Sequence, residues 1–332
     1  MKKIGIIGIG GRTGTMFAFE LKEKGEVFGI GREREISLIR EKKLFVERGE
    51  GWECFEGNLI EEKEFPKNIS FDFLFLTTKN PVGETIKFYF QKIQKEKLKI
   101  PVLFLSQNGI EAGEEAVLAL KEVFGETDQV PVFRISLFNP IEKKTSEGKE
   151  IVSYSLPVKM AIGKISGEVE EKEIQEIFEG TNFQIFWIPQ KETKNMEYSK
   201  LFLNLIGMAS ATYGLSIAEG FSKKEVFKEE FLALREYIKT VKKKGGRFLN
   251  FPRYPVKFLS LFFSLPWFLV FPFRKILARL VEKERRKKPK DLDEIEFYNG
   301  AVVKLGREIG LENKVNEKIL QRGKEILEKN VR

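Results

Sequence analysis

Short, mainly apolar runs recur along the first 189 residues, each bounded by glycine or polar positions and separated by amphipathic stretches. The runs are 2-KKIGIIGIG-10, 26-EVFGIGRE-33, 71-FDFLFLTTKN-80, 100-IPVLFLSQNG-109, 131-PVFRISLF-138, a stretch at about 150–155, 158-VKMAIGKI-165 and 183-FQIFWI-188. Continuous apolar runs of this length, flanked by turn residues, predict strands buried on both faces. Between them MFAFELKEKG, about 82–95, 110–124 and EEKEIQEIFEG carry helical spacing. Strands alternating with helices predict a parallel sheet. After Lys191 the pattern is helical throughout. The expected fold is therefore α/β: a Rossmann-type dinucleotide-binding domain at 1–189, followed by an all-α domain at 190–332.

The opening segment predicts a β-turn-α-β unit. Gly8 suits a tight turn, and Gly10 admits a pyrophosphate close to the backbone. Gly11, Arg12, Thr13 and Gly14 then open a helix whose N–H groups and dipole favour an anion. The third glycine comes one place later than in G-x-G-x-x-G, with Thr13 at the usual position. The second strand ends in Gly31-Arg32, and a cation there suits the 2′-phosphate of NADPH rather than the free ribose of NADH. Arg32 as a plain solvated side chain is the simpler alternative. Lys79 and Asn108 follow strand carboxyl ends, where ligands bind in such sheets.

In 194-KNMEYSKLFLNLIGMASATYGL-215 the residues from Leu201 onward predict a helix buried all round. Lys200 stands at its entrance and Asn204 one turn on, on the same face. Either the lysine snorkels to solvent and the asparagine caps a loop, or both serve a ligand. Residues 257–275 resemble a membrane span, but their uncharged core is 16 residues and contains Pro266 and Pro272. A span needs about 20 apolar residues, so a buried or partner-covered helix pair is expected, with a peripheral membrane contact as the alternative.

Composition narrows the chemistry. The 332 residues contain no histidine and one cysteine, Cys54. Ser-His-Asp and Cys-His catalysis, internal disulfides and metal sites of the usual N/S type are thereby excluded. A proton donor has to be Lys, Tyr, Asp or Glu. The net charge of +9 suits an anionic small ligand, and its spread along the chain argues against nucleic acid. The lone cysteine and the absence of a secretory signal fit a cytoplasmic protein.

The last helices read 291-DLDEIEFYNGAVVKLGREIGLENKVNEKIL-320. With the KLFLN segment and the N-terminal glycines, this resembles the ketopantoate reductase family over nearly the whole chain. The EIEFYNG segment resembles the family's Glu-Ile-Asp-Tyr-x-Asn-Gly signature, Lys79 its Thr-x-Lys strand end, and Asn108 its Asn-Gly. The resemblance implies NADPH-dependent reduction of ketopantoate, with Lys200 as proton donor and Glu294 engaging that lysine and the substrate. Asn108 and Asn204 would position lysine and substrate, with Asn108 also beside the cofactor. Read alone, Asp291-x-x-Glu294 after Pro289 is a capping box at a helix start. Met208 stands where the family has a further asparagine, and the serine that binds the substrate carboxylate has no counterpart. Lysine-rich 283-KERRKKPK-290 takes that place. A related β-hydroxyacid or opine-type dehydrogenase is the second enzyme reading. A non-catalytic nucleotide-binding or membrane-peripheral protein is the third, and a homodimer is compatible with all of them.

Overall fold

The computed structural model describes residues 1–49, 51–125, 129–284 and 288–331. Arg285, Arg286 and Lys287 of the basic run lie outside the described residues. The chain divides into two compact units: residues 1–107 with 111–193, and residues 108–110 with 194–332.

The first unit begins with β1 (Lys3–Ile7), α1 (Arg12–Leu21), β2 (Glu26–Gly31) and α2 (Glu33–Lys42). Three short strands follow: β3 (Phe45–Glu47), β4 (Glu53–Cys54) and β5 (Asn58–Glu61). Then come β6 (Phe73–Leu76), α3 (Gly83–Lys95), β7 (Val102–Leu105), α4 (Ala112–Phe124) and β8 (Val132–Leu137). The unit closes with β9 (Ile141–Ser146), β10 (Lys149–Tyr154), β11 (Val158–Ser166), α5 (Glu171–Glu176) and β12 (Phe183–Ile188). The main sheet has the order β12-β11-β8-β7-β6-β1-β2-β5. Its strands from β5 to β8 are parallel, β11 runs antiparallel to β8, and β12 is parallel to β11. Strand alternation separates two cores. Phe73, Phe75, Phe104, Ile4 and Ile6 face α1 and α5, whereas Leu74, Leu76, Leu103, Leu105 and Ile7 face α3 and α4. Phe75 and Phe104 stack at 4.5 Å, and Phe17 of α1 lies 5.0 Å from Phe75.

A second sheet, β4-β3-β10-β9, is an addition to the expected pattern. Val46 and Val152 of this sheet share a core with Met16, Phe17 and Phe19 of α1, and polar ties add to it. Glu20, buried on α1, accepts hydrogen bonds from Arg48 Nη1 at 2.7 Å, Tyr154 Oη at 2.7 Å and Asn182 Nδ2 at 2.9 Å. Burial and the neighbouring carboxylate hold the Tyr154 phenol well above its ordinary range.

The second unit is helical: α6 (Thr193–Leu205, from Lys194 within this unit), α7 (Met208–Ala211), α8 (Ile217–Ser222) and α9 (Lys224–Lys243). After these come α10 (Val256–Ser264), α11 (Trp267–Val270), a 3₁₀ turn at Phe271–Phe273 and α12 (Arg274–Glu284). A π-helical turn at Glu296–Gly300 leads into α13 (Ala301–Glu308) and α14 (Lys314–Val331). The 20-residue α9 is the organising element. It buries Phe227, Phe231, Leu234, Ile238 and Val241, and its Tyr237 hydroxyl donates to the Tyr198 carbonyl at 2.8 Å. Ser216 and Glu219 form a capping box at the start of α8.

The 257–275 stretch is docked on one side only. Phe263 and Val270 are buried, while Phe258 and Phe268 are largely exposed. The expected burial therefore holds for one face. Among the described residues, no helix is long and apolar enough to cross a membrane.

Candidate active site

The glycine turn is built by close packing. Gly8 has φ +87°, in the left-handed region that favours glycine, and its N–H donates to the Ile30 carbonyl at 2.8 Å. A Cβ on Gly14 would strike the Gly8 carbonyl, so this glycine lets α1 begin against the end of β1. Gly14 thus performs the packing role one position later than the usual spacing. Thr15 donates to Gly11 at 2.9 Å, which leaves the N–H groups of Arg12 and Thr13 as first-turn donors ahead of that bond. The strand order reverses between β1 and β6, where a doubly wound sheet opens its crevice. These features fit a dinucleotide pyrophosphate.

Two residues here escaped the sequence reading. Lys143 of β9 brings Nζ to 3.4 Å from the Gly10 carbonyl, placing a cation at the glycine turn. It pairs with Glu150 at 2.6 Å, one strand away. Glu35 lies in the first turn of α2, and its carboxylate packs beside both Gly10 and Gly31, 2.7 Å from where a Gly31 Cβ would stand. Arg32, the N-cap of α2, is exposed and makes no ion pair among the described residues. The end of β2 therefore offers an inward carboxylate and an outward guanidinium.

At the ends of β6 and β7, Gln107 Nε2 donates to the carbonyls of Leu76 at 2.9 Å and Thr78 at 3.1 Å. Arg134, almost wholly buried in β8, donates to the Leu105 carbonyl at 3.0 Å and to the Gln107 carbonyl. A buried cation thus fixes the chain just before Asn108. Lys79 is exposed after β6.

Within the helical unit, Asn108 Nδ2 donates to Glu294 Oε2 at 2.9 Å, and Asn204 Nδ2 donates to Asn108 Oδ1 at 3.2 Å. Tyr298 Oη donates to the same Glu294 oxygen at 2.7 Å. Glu294 is engaged as an acceptor by these side chains; the pairing of a capping box belongs instead to Ser216 and Glu219. Lys200 stands half-buried on α6, one turn before Asn204. Asn108, Asn204 and Glu294 form one connected chain, whereas the glycine turn, Arg32 and Lys79 belong to the sheet unit.

The expected helix through 194–215 breaks at Gly207, where φ is +92° and a Cβ would meet Ile217. Two side chains from other elements hold the break. Lys290 Nζ donates to the carbonyls of Asn204 at 2.6 Å and Ile206 at 3.1 Å, satisfying acceptors at the end of α6. Glu230, fully buried on α9, accepts from the N–H groups of Gly207 and Ser210 at the start of α7. Met208 is wholly buried at that start.

Burial pushes the Glu230 carboxyl up to about 7, although the Gly207 and Ser210 donors and Lys290 pull it down. A carboxyl raised from its ordinary 4.5 binds its proton more tightly in the folded chain than in the unfolded one. Its contribution is fully present below about pH 4.5 and is lost as pH rises through about 7. Folding stability should fall across that window by at most about 3 kcal/mol. Urea titrations at several pH values check this; Glu230→Gln should flatten the slope, and an unchanged slope would assign it elsewhere.

Among the described residues, no group of three or more His, Cys, Asp or Glu side chains could hold a metal ion. Residues 4–137 match the family model described as ketopantoate reductase PanE/ApbA. No curated protein matches the sequence. Among solved structures, a PanE/ApbA family ketopantoate reductase from Ralstonia eutropha JMP134 superposes with a TM-score of 0.73 at 15% identity, covering 100% of both chains. A dimeric ketopantoate reductase from Staphylococcus aureus gives 0.63 at 15% identity over 97% of both chains. D-mandelate dehydrogenase with NADH and anilino(oxo)acetate gives 0.66 at 16% identity, again over 97% of both chains. At these identities the structural likenesses establish the fold alone. Residues 4–137, most of the sheet unit, thus carry a domain similar to ketopantoate reductase PanE/ApbA.

Proposed function

We propose that the chain is an NADPH-dependent 2-oxo acid reductase that converts 2-dehydropantoate to pantoate. The observation that carries this reading is the hydrogen-bonded chain Asn204–Asn108–Glu294–Tyr298, with Lys200 one turn from Asn204. The nicotinamide supplies the hydride when bound. Gly8, Gly10, Gly11, Arg12, Thr13 and Gly14 hold the pyrophosphate through first-turn N–H groups, with Lys143 adding positive charge. Arg32 takes the 2′-phosphate, with Lys79 as a second cation.

As the carbonyl carbon is reduced, negative charge grows on its oxygen. Lys200 Nζ stabilises that charge and then donates the proton. Glu294, fixed by Asn108 and Tyr298, holds the lysine and substrate in register, and Asn204 orients the substrate. Met208 cannot donate a hydrogen bond to the hydroxyl of ketopantoate, so discrimination against 2-oxo acids lacking that hydroxyl should be weaker than in a site with asparagine there. The protein works in the cytoplasm, as a homodimer or a monomer. Oxidation of NADPH by the purified chain against a panel of 2-oxo acids tests the reading; no turnover with any member would overturn it.

Glu35 supports a second reading of the cofactor. A carboxylate at the end of β2 suits ribose hydroxyls and repels a 2′-phosphate. If Arg32 decides, Arg32→Ala should weaken NADPH binding about 10–100-fold and leave NADH binding nearly unchanged. If Glu35 decides, the wild type binds NADH more tightly, and Glu35→Gln shifts preference toward NADPH. Dissociation constants for both cofactors, from fluorescence titration, separate the two.

A further inference from the structure

Residues 251–280 carry five cations, Arg253, Lys257, Arg274, Lys275 and Arg279, and no acidic residue. In a chain with 49 acidic residues, this is a pronounced separation of charge. The same segment holds eight exposed large apolar side chains: Phe258, Leu261, Leu265, Phe268, Leu269, Phe273, Ile276 and Leu280. Phe268 is 70% exposed and Phe258 64%.

The exposure is built into the docking of the segment. Val256, Ser260 and Phe263 form the buried face of α10, while Phe258, Leu261 and Leu265 follow the opposite face at helical spacing. Trp267 lies 5.1 Å from Phe231 and 5.7 Å from Phe227, anchoring α11 on α9. Phe262 meets Phe273 at 5.8 Å, which joins the outer ends of α10 and the 3₁₀ turn into one surface. Ala278 is buried on α12, and Ile276 and Leu280 on either side of it are exposed. The segment is held firmly by one set of side chains and presents another set to solvent.

We infer that this surface docks on an anionic phospholipid bilayer as a peripheral contact. Aromatic and aliphatic side chains interleaved with cations, on short helices that cannot span, suit the interfacial plane of a membrane. The apolar groups enter the acyl boundary, and the cations meet anionic headgroups. A second copy of this chain fits less well. A two-fold contact would press the patch against itself and set five cations against five.

Flotation of the full chain with vesicles of phosphatidylglycerol and phosphatidylcholine, and with phosphatidylcholine alone, tests the inference. The chain should float with the anionic vesicles, float little with the neutral ones, and be released by added salt. The double variant Phe268→Ser, Leu269→Ser should weaken partitioning about tenfold or more, at unchanged melting temperature because both side chains are exposed. Lys275→Glu with Arg279→Glu should weaken it about tenfold or more by charge alone. Equal recovery on neutral and anionic vesicles, or none on either, would overturn the inference. So would a wild-type dimer in light scattering that the Phe268, Leu269 variant converts to monomer, which would assign the face to a second copy.

Discussion

Lys200→Ala should lower turnover about 10²–10³-fold while leaving dinucleotide affinity nearly unchanged. The asymmetry follows from when the lysine acts. Its charge matters most as the carbonyl oxygen becomes anionic, so removing it raises the barrier far more than it weakens the ground state. With no histidine in the chain, a neighbouring imidazole cannot take over the proton. The surrounding frame should survive the change, because Asn204, Asn108 and Glu294 are held by one another, by Tyr298 and by the Lys290 bond at the end of α6. Steady-state kinetics at saturating substrate, with a separate cofactor titration, measures both quantities. Near-full turnover in the variant would remove Lys200 from the chemistry.

The second large effect concerns stability. Glu20→Ala should destabilise the sheet unit by about 3–5 kcal/mol, the cost of breaking a buried ion pair from one side. The loss leaves Arg48, with a side chain only 16% exposed, facing an apolar gap, and strips the Tyr154 hydroxyl of its acceptor. It also removes the acceptor for Asn182. Arg48 keeps its bonds to Glu53 at 2.8 and 2.9 Å, which sets the lower end of the range. Urea denaturation at neutral pH reads the difference. A loss below about 1 kcal/mol would show that the carboxylate stabilises little beyond its own desolvation.

The parts legible in the sequence are those where local pattern and final environment agree. The run KIGII, the glycine turn and FLFL are buried strands and a turn because their residues admit few other fates. Local pattern failed where distant residues decide. The strand IEKKTS at β9 is charged and mostly exposed, so nothing nearby marks it; its pairing with β10 does. The run from Leu201 to Leu215 is apolar at most positions, and only Gly207 hints at the break. The side chains that hold the break, Glu230 and Lys290, stand 23 and 84 residues from their donor and acceptor groups. Lys143 and Glu35 carry no local mark of their place at the glycine turn for the same reason: each reaches it from another element. Asn108 and Glu294 are 186 residues apart, and only the resemblance of two separate motifs to one family linked them before the structure did.

Transfer of a hydride from a nicotinamide to the carbonyl carbon of a 2-oxo acid can be followed with an isotopic label. The most direct measurement supplies NADPH deuterated on the reactive face of the nicotinamide, together with 2-dehydropantoate, and examines the product by mass spectrometry and proton NMR. The expected product is pantoate carrying one deuterium on the carbon next to its carboxylate, formed by wild-type protein and far more slowly by Lys200→Ala. Unlabelled product from cofactor deuterated on either face, or no product with 2-dehydropantoate or any other 2-oxo acid, would contradict it.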